Sequence, residues 1–436
     1  AWHPHLYRGF TIEARMPTLS SSKRLALLLQ LLLAASAVCA KFIGPYKMTF
    51  ASSDPVAAQA YSEKYLGGEF TPQPHKGGDG ECALVKWVKF PGTDYEFHFV
   101  KGYHRPNGTM NLDEFAGKLA NLHADLTRYD QYMGYRVVIT VDTLDPIVSR
   151  LLLDGQPVLA RRNLPNTQGS GDAQPSEDSF TEAFSAFVEI PNAIIVEIVS
   201  PVLTVMAAQD WDLCVSDSPS KTPAATPAVQ SRKLMPTSEK GKAHQKVLVS
   251  DEVLRMHAAE PIPNISPVRA VYASPEPRKA FNFVATYFNG SAVTPITVPS
   301  QNLSCYEAYA MGFPDSGYDY QLWWEKTPLT PTIPGLRLTQ FAQYLRNLHG
   351  WIQQPNDVYD EYMDYHVGLF VDLADPYVEK IRADNVPFFT RGQYGKGTDV
   401  FIEGPFGQIY EIVASKSTIF GPDEIENWDL CGPDRR

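Results

Sequence analysis

Tyr132-Met-Gly-Tyr-Arg-Val-Val-Ile-Thr-Val-Asp-Thr-Leu-Asp-Pro146 decides the fold, because it returns as Tyr362-Met-Asp-Tyr-His-Val-Gly-Leu-Phe-Val-Asp-Leu-Ala-Asp-Pro376. In each copy a run of β-branched, aromatic and aliphatic residues reads as a strand. The acid-proline pair behind it reads as a helix start, since the fixed φ and missing N–H of proline suit the first helical turn. Apolar residues then recur at helical spacing, at Ile147, Leu151 and Leu152 in one copy and at Val378 and Ile381 in the other.

The likeness extends in both directions. Phe50-Ala-Ser-Ser-Asp-Pro55 matches Tyr272-Ala-Ser-Pro-Glu-Pro277, Tyr65-Leu-Gly-Gly68 meets Tyr287-Phe-Asn-Gly290, and both copies end on Trp-Asp-Leu-Cys, at 211–214 and 428–431. Residues 46–214 and 268–431 are therefore two diverged copies, and a repeat of this length sets the architecture before any local reading does. Within each copy the helix start occurs twice, at Asp54-Pro55 and Asp145-Pro146, then at Glu276-Pro277 and Asp375-Pro376. Short strands follow each helix, as in Val400-Phe-Ile402, the turn Gly404-Pro-Phe-Gly407, and Ile409-Tyr-Glu-Ile-Val413. The organisation is four units of strand, helix and about three strands, with an amphipathic helix, Leu112 to Leu122 or Leu338 to Leu348, bridging the two units of each copy. The polar stretch Asn163 to Ser179 reads as a loop.

Outside the copies, Lys23-Arg24, the apolar run Leu25 to Val38 and the exit Val38-Cys39-Ala40 have the order of a signal peptide, and the run is too short to span a bilayer. The expected division is upstream residues 1–15, a signal peptide over 16–40, a first module over 41–215, a disordered Pro/Ser/Lys-rich linker over 216–263, and a second module over 264–436. Removing residues 1–40 leaves 34 basic against 48 acidic residues, a net charge near −14, which argues against nucleic acid or an anionic membrane as partner. Secretory-pathway entry, with an extracellular destination, is the expected localisation. In that compartment, the repeat's one early and one terminal cysteine per copy predict two equivalent bridges, Cys82 to Cys214 and Cys305 to Cys431. Sequons at Asn107, Asn289 and Asn302 are expected glycosylation sites, while Pro267 behind Asn264 disfavours a fourth.

His366-Val-Gly-Leu-Phe-Val-Asp372, the helix after it, Pro387-Phe-Phe389, Phe401-Ile-Glu-Gly-Pro-Phe-Gly407 and Ile409-Tyr-Glu-Ile412 resemble the second half of a glyoxalase/bleomycin-resistance/dioxygenase domain, the vicinal oxygen chelate superfamily. Phe187-Val-Glu-Ile-Pro191 and Ile195-Val-Glu-Ile198 keep that skeleton in the first copy. The resemblance implies an α+β fold of two tandem modules, each of paired βαβββ units forming a cupped half-barrel. It also implies a divalent metal (Fe, Mn, Ni or Zn) held by His, Gln or Glu on particular strands, with no organic cofactor. His366 and Glu411 fill two such positions, and Gln321 or Asp319 is the candidate for a third. The first strand departs from the pattern, since Ser266 to Tyr272 carries neither His nor Gln, and the first copy has Lys47 and Met48 on its first strand and Arg136 where the second has His366. Glu197 and His98 or Glu96 remain there, and an arginine beside a glutamate suits an ion pair better than a metal.

Two functions follow from these residues. One is a metal-dependent lyase, isomerase or dioxygenase acting on a small oxygen-rich substrate, with its site in the second module. The other is a non-catalytic secreted module that binds a small-molecule or protein ligand in cups whose metal positions are degenerate. His123 and His349 suit helix capping, and the Tyr132/Tyr135 and Tyr362/Tyr365 pairs suit core or cup-lining aromatics.

Overall fold

The computed structural model describes residues 42–52, 54–71, 85–93, 95–101, 112, 135–163, 183–191, 195–210, 246–288, 290–292, 308–313, 321–326, 338–342, 365–392, 398–415, 417, 418 and 420. The first unit runs β1 (Phe42–Ser52), α1 (Pro55–Leu66), β2 (Glu69–Phe70), β3 (Val85–Lys89) and β4 (Glu96–Lys101). The second runs β5 (Arg136–Thr140), α2 (Asp145–Leu153), β6 (Val158–Asn163), β7 (Ala183–Glu189) and β8 (Ile195–Ser200), followed by β9 (Gln209–Asp210) and the linking helix α3 (Asp251–Ala259). The second copy repeats this as β10 (Ser266–Ser274), α4 (Pro277–Phe288), β11 (Ser291–Ala292), β12 (Ala308–Gly312) and β13 (Gln321–Lys326), then β14 (His366–Val371), α5 (Asp375–Ala383), β15 (Phe388–Gly392), β16 (Thr398–Glu403) and β17 (Ile409–Ala414). Each of the four units is βαβββ, as the repeat predicts.

The units pair across the copies. Sheet A has the order β15-β16-β17-β14-β1-β4-β3-β2, and sheet B the order β11-β12-β13-β10-β5-β8-β7-β6-β9. The first unit of copy one thus joins the last unit of copy two through antiparallel β1 and β14, while the two inner units join through antiparallel β10 and β5. Within every unit the first and last strands run parallel, as β1 with β4 and β14 with β17 do. Each cup therefore takes one βαβββ unit from each copy.

Strand alternation separates two faces. In sheet A, Met48, Phe50, Phe97, Phe99, Val367, Leu369, Tyr410 and Ile412 share the helix-covered face and are buried. The helix-side faces of the two sheets also meet each other. Tyr365 Oη donates to the carbonyls of Arg136 (2.7 Å) and Val271 (3.1 Å), Trp324 Nε1 donates to Tyr410 Oη (2.9 Å), and Tyr272 Oη accepts from the backbone N–H of Val367 (3.1 Å). Tyr135, Tyr272 and Tyr365 pack ring against ring at 4.8–5.3 Å. Tyr135 and Tyr365 are thus core residues between the apposed apolar faces.

The acid-proline starts work in two ways. Asp54 is a conventional N-cap, its carboxylate accepting from Ala57 N. Asp145 and Asp375 instead sit inside the first turn and capture the chain after the unit's last strand: Asp145 accepts from Thr204 N and Oγ1, Asp375 from Ser417 Oγ and Thr418 N. The linker departs from the expected disorder at its end, where Ser250 caps α3, Leu254 is buried, and Arg150 of α2 donates to the carbonyls of Ala258 and Glu260. A helix of nine residues is marginal alone, and this packing against α2 is what holds it. The signal peptide, residues 216–245 of the linker, Cys82, Cys214, Cys305, Cys431, Asn107, Asn289, Asn302, His123, His349 and Asp319 lie outside the described residues. No described helix is long and apolar enough to cross a membrane.

Candidate functional site

The cup face of sheet A is polar where the other face is apolar. Cross-strand register places Glu96, Lys47, Gly368 and Glu411 in one row over β4, β1, β14 and β17, and His98, Thr49 and His366 in the next. Glu411 is fully buried at the centre. The Lys47 ammonium donates to Oε1 at 2.9 Å and lies 2.8 Å from Oε2 as an ion pair, His366 Nε2 lies 3.3 Å from Oε2, and Arg391 Nη2 lies 3.7 Å from Oε1. Arg391 also donates to Asp399 on the neighbouring strand.

Gly368 makes the central contact possible. Lys47 sits opposite Gly368, which sits opposite Glu411, so the lysine stem must pass over the glycine. A Cβ there would lie 2.5 Å from Lys47 Cγ and 2.7 Å from Cε, distances no pair of carbons tolerates. Burial alone would raise the Glu411 carboxyl, and Lys47, His366 and Arg391 reverse this and hold it well below the usual range. Asp399 moves the other way, pushed up to about 6 by burial and by the Glu411 charge. On the far side of the row, burial lowers His98 to about 4, although its Nε2 is 3.0 Å from Glu96 Oε2; its ring stacks on Trp87 with centroids 4.0 Å apart.

The bridging stretch of the second copy, helical over residues 338–342, closes this cup. Phe341 is fully buried against His366, Phe389 and Phe401, with ring centroids at 5.3–5.9 Å, and Leu338 N donates to Glu403 at 2.9 Å.

Sheet B repeats the plan with different charges. Glu197 stands where sheet A has Glu411, Arg136 where it has His366, Arg161 where it has Arg391 and Arg269 where it has Lys47. Arg136 Nε donates to Glu197 (2.8 Å), and its two terminal nitrogens form a bidentate pair with Glu325 at 3.0 and 2.8 Å. Ser185 Oγ (2.7 Å) and Arg161 (3.3 Å) complete the shell of Glu197. Val138 replaces the glycine, and the Arg269 guanidinium lies over the Trp323 ring at 4.3 Å. Burial disfavours charge on both partners, yet the three arginines bring Glu197 down to about 2, and Glu325 and Glu197 raise Arg136.

Of the three residues expected to hold a metal, His366 and Glu411 are brought together, and Gln321 is not. It lies on β13 in the other sheet, where its Oε1 accepts from Trp323 Nε1 at 2.7 Å, because the units pair across the copies. Its counterpart in sheet A is Glu96, from the first copy, so the cup that holds His366 and Glu411 is built from strands of both copies. Among the described residues no group of three or more His, Cys, Asp or Glu is arranged to hold a metal ion. In each cup a side-chain cation already pairs with the carboxylate that a metal would use, Lys47 with Glu411 and Arg136 with Glu197, so the positive charge a metal would bring is already supplied. The residues present do not fit a resident metal. Sequence reading missed Arg391, Asp399, Glu325 and the part played by Gly368, all of which follow from comparing the copies position by position once the exchanged pairing is known.

No family model matches the chain, and no curated protein matches it. Among solved structures, a glyoxalase I mutant from Zea mays is similar at 10% identity, covering 88% of this chain and 96% of that one with a TM-score of 0.48. Glyoxalase I from Zea mays gives 10% identity, 85% and 92% coverage and a TM-score of 0.45. A glyoxalase/dioxygenase from Nostoc punctiforme matches 34% of this chain over 88% of its own, at 16% identity and a TM-score of 0.21. With βαβββ units joined first strand to first strand, twice over, the chain has an α+β fold of tandem paired βαβββ units.

Proposed function

We propose that this chain is a binding protein on a glyoxalase/dioxygenase scaffold, routed to the secretory pathway, that engages a small-molecule or protein ligand without a metal. The observation that carries this reading is the Lys47 ammonium paired with Glu411, donating to Oε1 at 2.9 Å and 2.8 Å from Oε2, in the position where a metal-dependent relative needs an open carboxylate. Support comes from the second cup, where Arg136 takes both Glu197 and Glu325, and from Phe341, which fills the space over His366. Chemistry of the lyase or dioxygenase kind needs a Lewis acid with open positions facing its substrate.

The competing reading, a metal-dependent lyase, isomerase or dioxygenase, is favoured by one observation, the approach of His366 Nε2 to within 3.3 Å of Glu411. Thermal unfolding with added Mn, Fe(II), Ni or Zn separates the two. Binding to the folded state at a hundredfold excess over Kd adds about 2.7 kcal/mol of stability. The proposed reading expects no metal to raise Tm, and a rise abolished by both His366→Ala and Glu411→Ala would overturn it.

A further inference from the structure

We propose that Lys47 is a tethered stand-in for the metal cation of the sheet A cup, and that it is the one residue that keeps a divalent ion out. This rests on the metal-independent reading above and adds to it which atom does the excluding. Four adjacent strands present side chains to the cup in two rows, and three of the central positions hold oxygen or nitrogen ligands: Glu96 on β4, His366 on β14 and Glu411 on β17. The fourth position, on β1 between Glu96 and His366, is Lys47. Its ammonium contributes a positive charge at hydrogen-bond distance from both oxygens of a fully buried carboxylate, which is the electrostatic role a bound cation would play there.

The surroundings are built for this substitute. Gly368 leaves the channel through which the lysine stem runs, and its counterpart in sheet B is Val138. Removal of the ammonium would leave Glu411 with His366 at 3.3 Å and Arg391 at 3.7 Å, an arrangement to which an imidazole at position 47 would add a second nitrogen beside the carboxylate. Sheet B is not convertible by the corresponding single change, because Arg136 sits in the His366 position and holds two carboxylates. The asymmetry between the cups is therefore a consequence of the inference and part of its test.

The experiment uses the chain from residue 41 to 436 and the variants K47H, K47Q, K47H/E411A and R269H, each exposed to excess Co(II), Ni(II) or Zn(II) and then freed of unbound metal. Retained metal is measured by elemental analysis, and the Co(II) chains are examined for ligand-field absorption. The expected result is about one metal per K47H chain, weaker retention in K47Q, and less than about a tenth of an equivalent in the parent, in K47H/E411A and in R269H. A K47H chain that folds only when metal is present also supports the inference, since binding would then be coupled to folding. It is overturned if K47H and K47Q, folded by circular dichroism, retain no more metal than the parent, or if K47H stays unfolded with metal supplied. Retention by the parent itself, lost in E411A, would overturn instead the metal-independent reading on which the inference rests.

Discussion

Replacing Lys47 by Met keeps the length of the stem and deletes the charge, which isolates the contact on which the site depends. Glu411 is fully buried and would be left with His366 at 3.3 Å and Arg391 at 3.7 Å. Breaking a buried pair from one side costs about 3–5 kcal/mol, because the remaining charge has lost both its water and its partner. Arg391 relieves part of this, so the lower end, about 3 kcal/mol, is expected. Glu411→Leu should cost a similar amount by stranding the ammonium, whereas K47M/E411L replaces both ends with apolar groups and should lie within about 1–2 kcal/mol of the parent. Urea unfolding of the four chains at pH 7 then gives a coupling of about 3 kcal/mol or more. The same series has a pH signature. Glu411 has its folded pKa depressed, so the stability it contributes is present above the unfolded value of 4.5 and is lost as pH falls. The penalty of K47M should shrink on acidification, since a protonated carboxyl no longer requires the ammonium. Penalties that simply add, to within about 0.5 kcal/mol, would refute the reasoning.

Gly368→Ala places a Cβ 2.5 Å from the lysine stem and should cost about 1–3 kcal/mol, a loss that K47M largely removes when the two are combined; equal penalties in both backgrounds would show that the glycine serves something else. Arg136→Met strands Glu197 and Glu325 together, and unfolding should show a loss of about 3–5 kcal/mol at pH 7 that narrows below pH 4.5, where Glu197, depressed to about 2 in the folded state, loses its contribution in the parent. Asp399, raised to about 6, contributes stability present below 3.8 and lost as pH rises through 6, while His98, lowered to about 4, contributes stability present above 6.5 and lost as pH falls through 4. Each is worth up to about 3 kcal/mol and they oppose, so the parent should be nearly flat between pH 6.5 and 4 and Asp399→Asn should lose stability across that window; a flat profile in the variant contradicts the assignment. Residues 264–436 expressed alone should fail to give a stable monomer, and mixing them with residues 41–245 should restore the native circular dichroism, because each sheet needs one unit from each copy.

What the sequence disclosed and what it concealed divide along one physical line. The repeat, the acid-proline helix starts and the alternation of strands such as Arg136–Thr140 and His366–Val371 are local, and local signals carried the four βαβββ units. The Arg136–Glu197 ion pair was also legible, because both residues belong to one unit and face the same way. The pairing of β1 with β14 was not, since strands of either copy present the same edge pattern and nothing in period or composition says which edge is met. That single unknown moved Gln321 into the other cup and brought Lys47, a residue that read only as a missing ligand, onto Glu411. α3 was missed for a related reason: its sequence is polar on most sides, and its stability comes from Arg150 and the surface of α2.

The most direct test is the elemental metal content of the chain from residue 41 to 436, purified without chelator from a eukaryotic secretory host and compared with Glu411→Ala. The account predicts less than about a tenth of an equivalent of Fe, Mn, Ni or Zn per folded chain, unchanged in the variant, because the Lys47 ammonium holds the carboxylate a metal would need. Close to one equivalent in the parent, lost in Glu411→Ala, would contradict it.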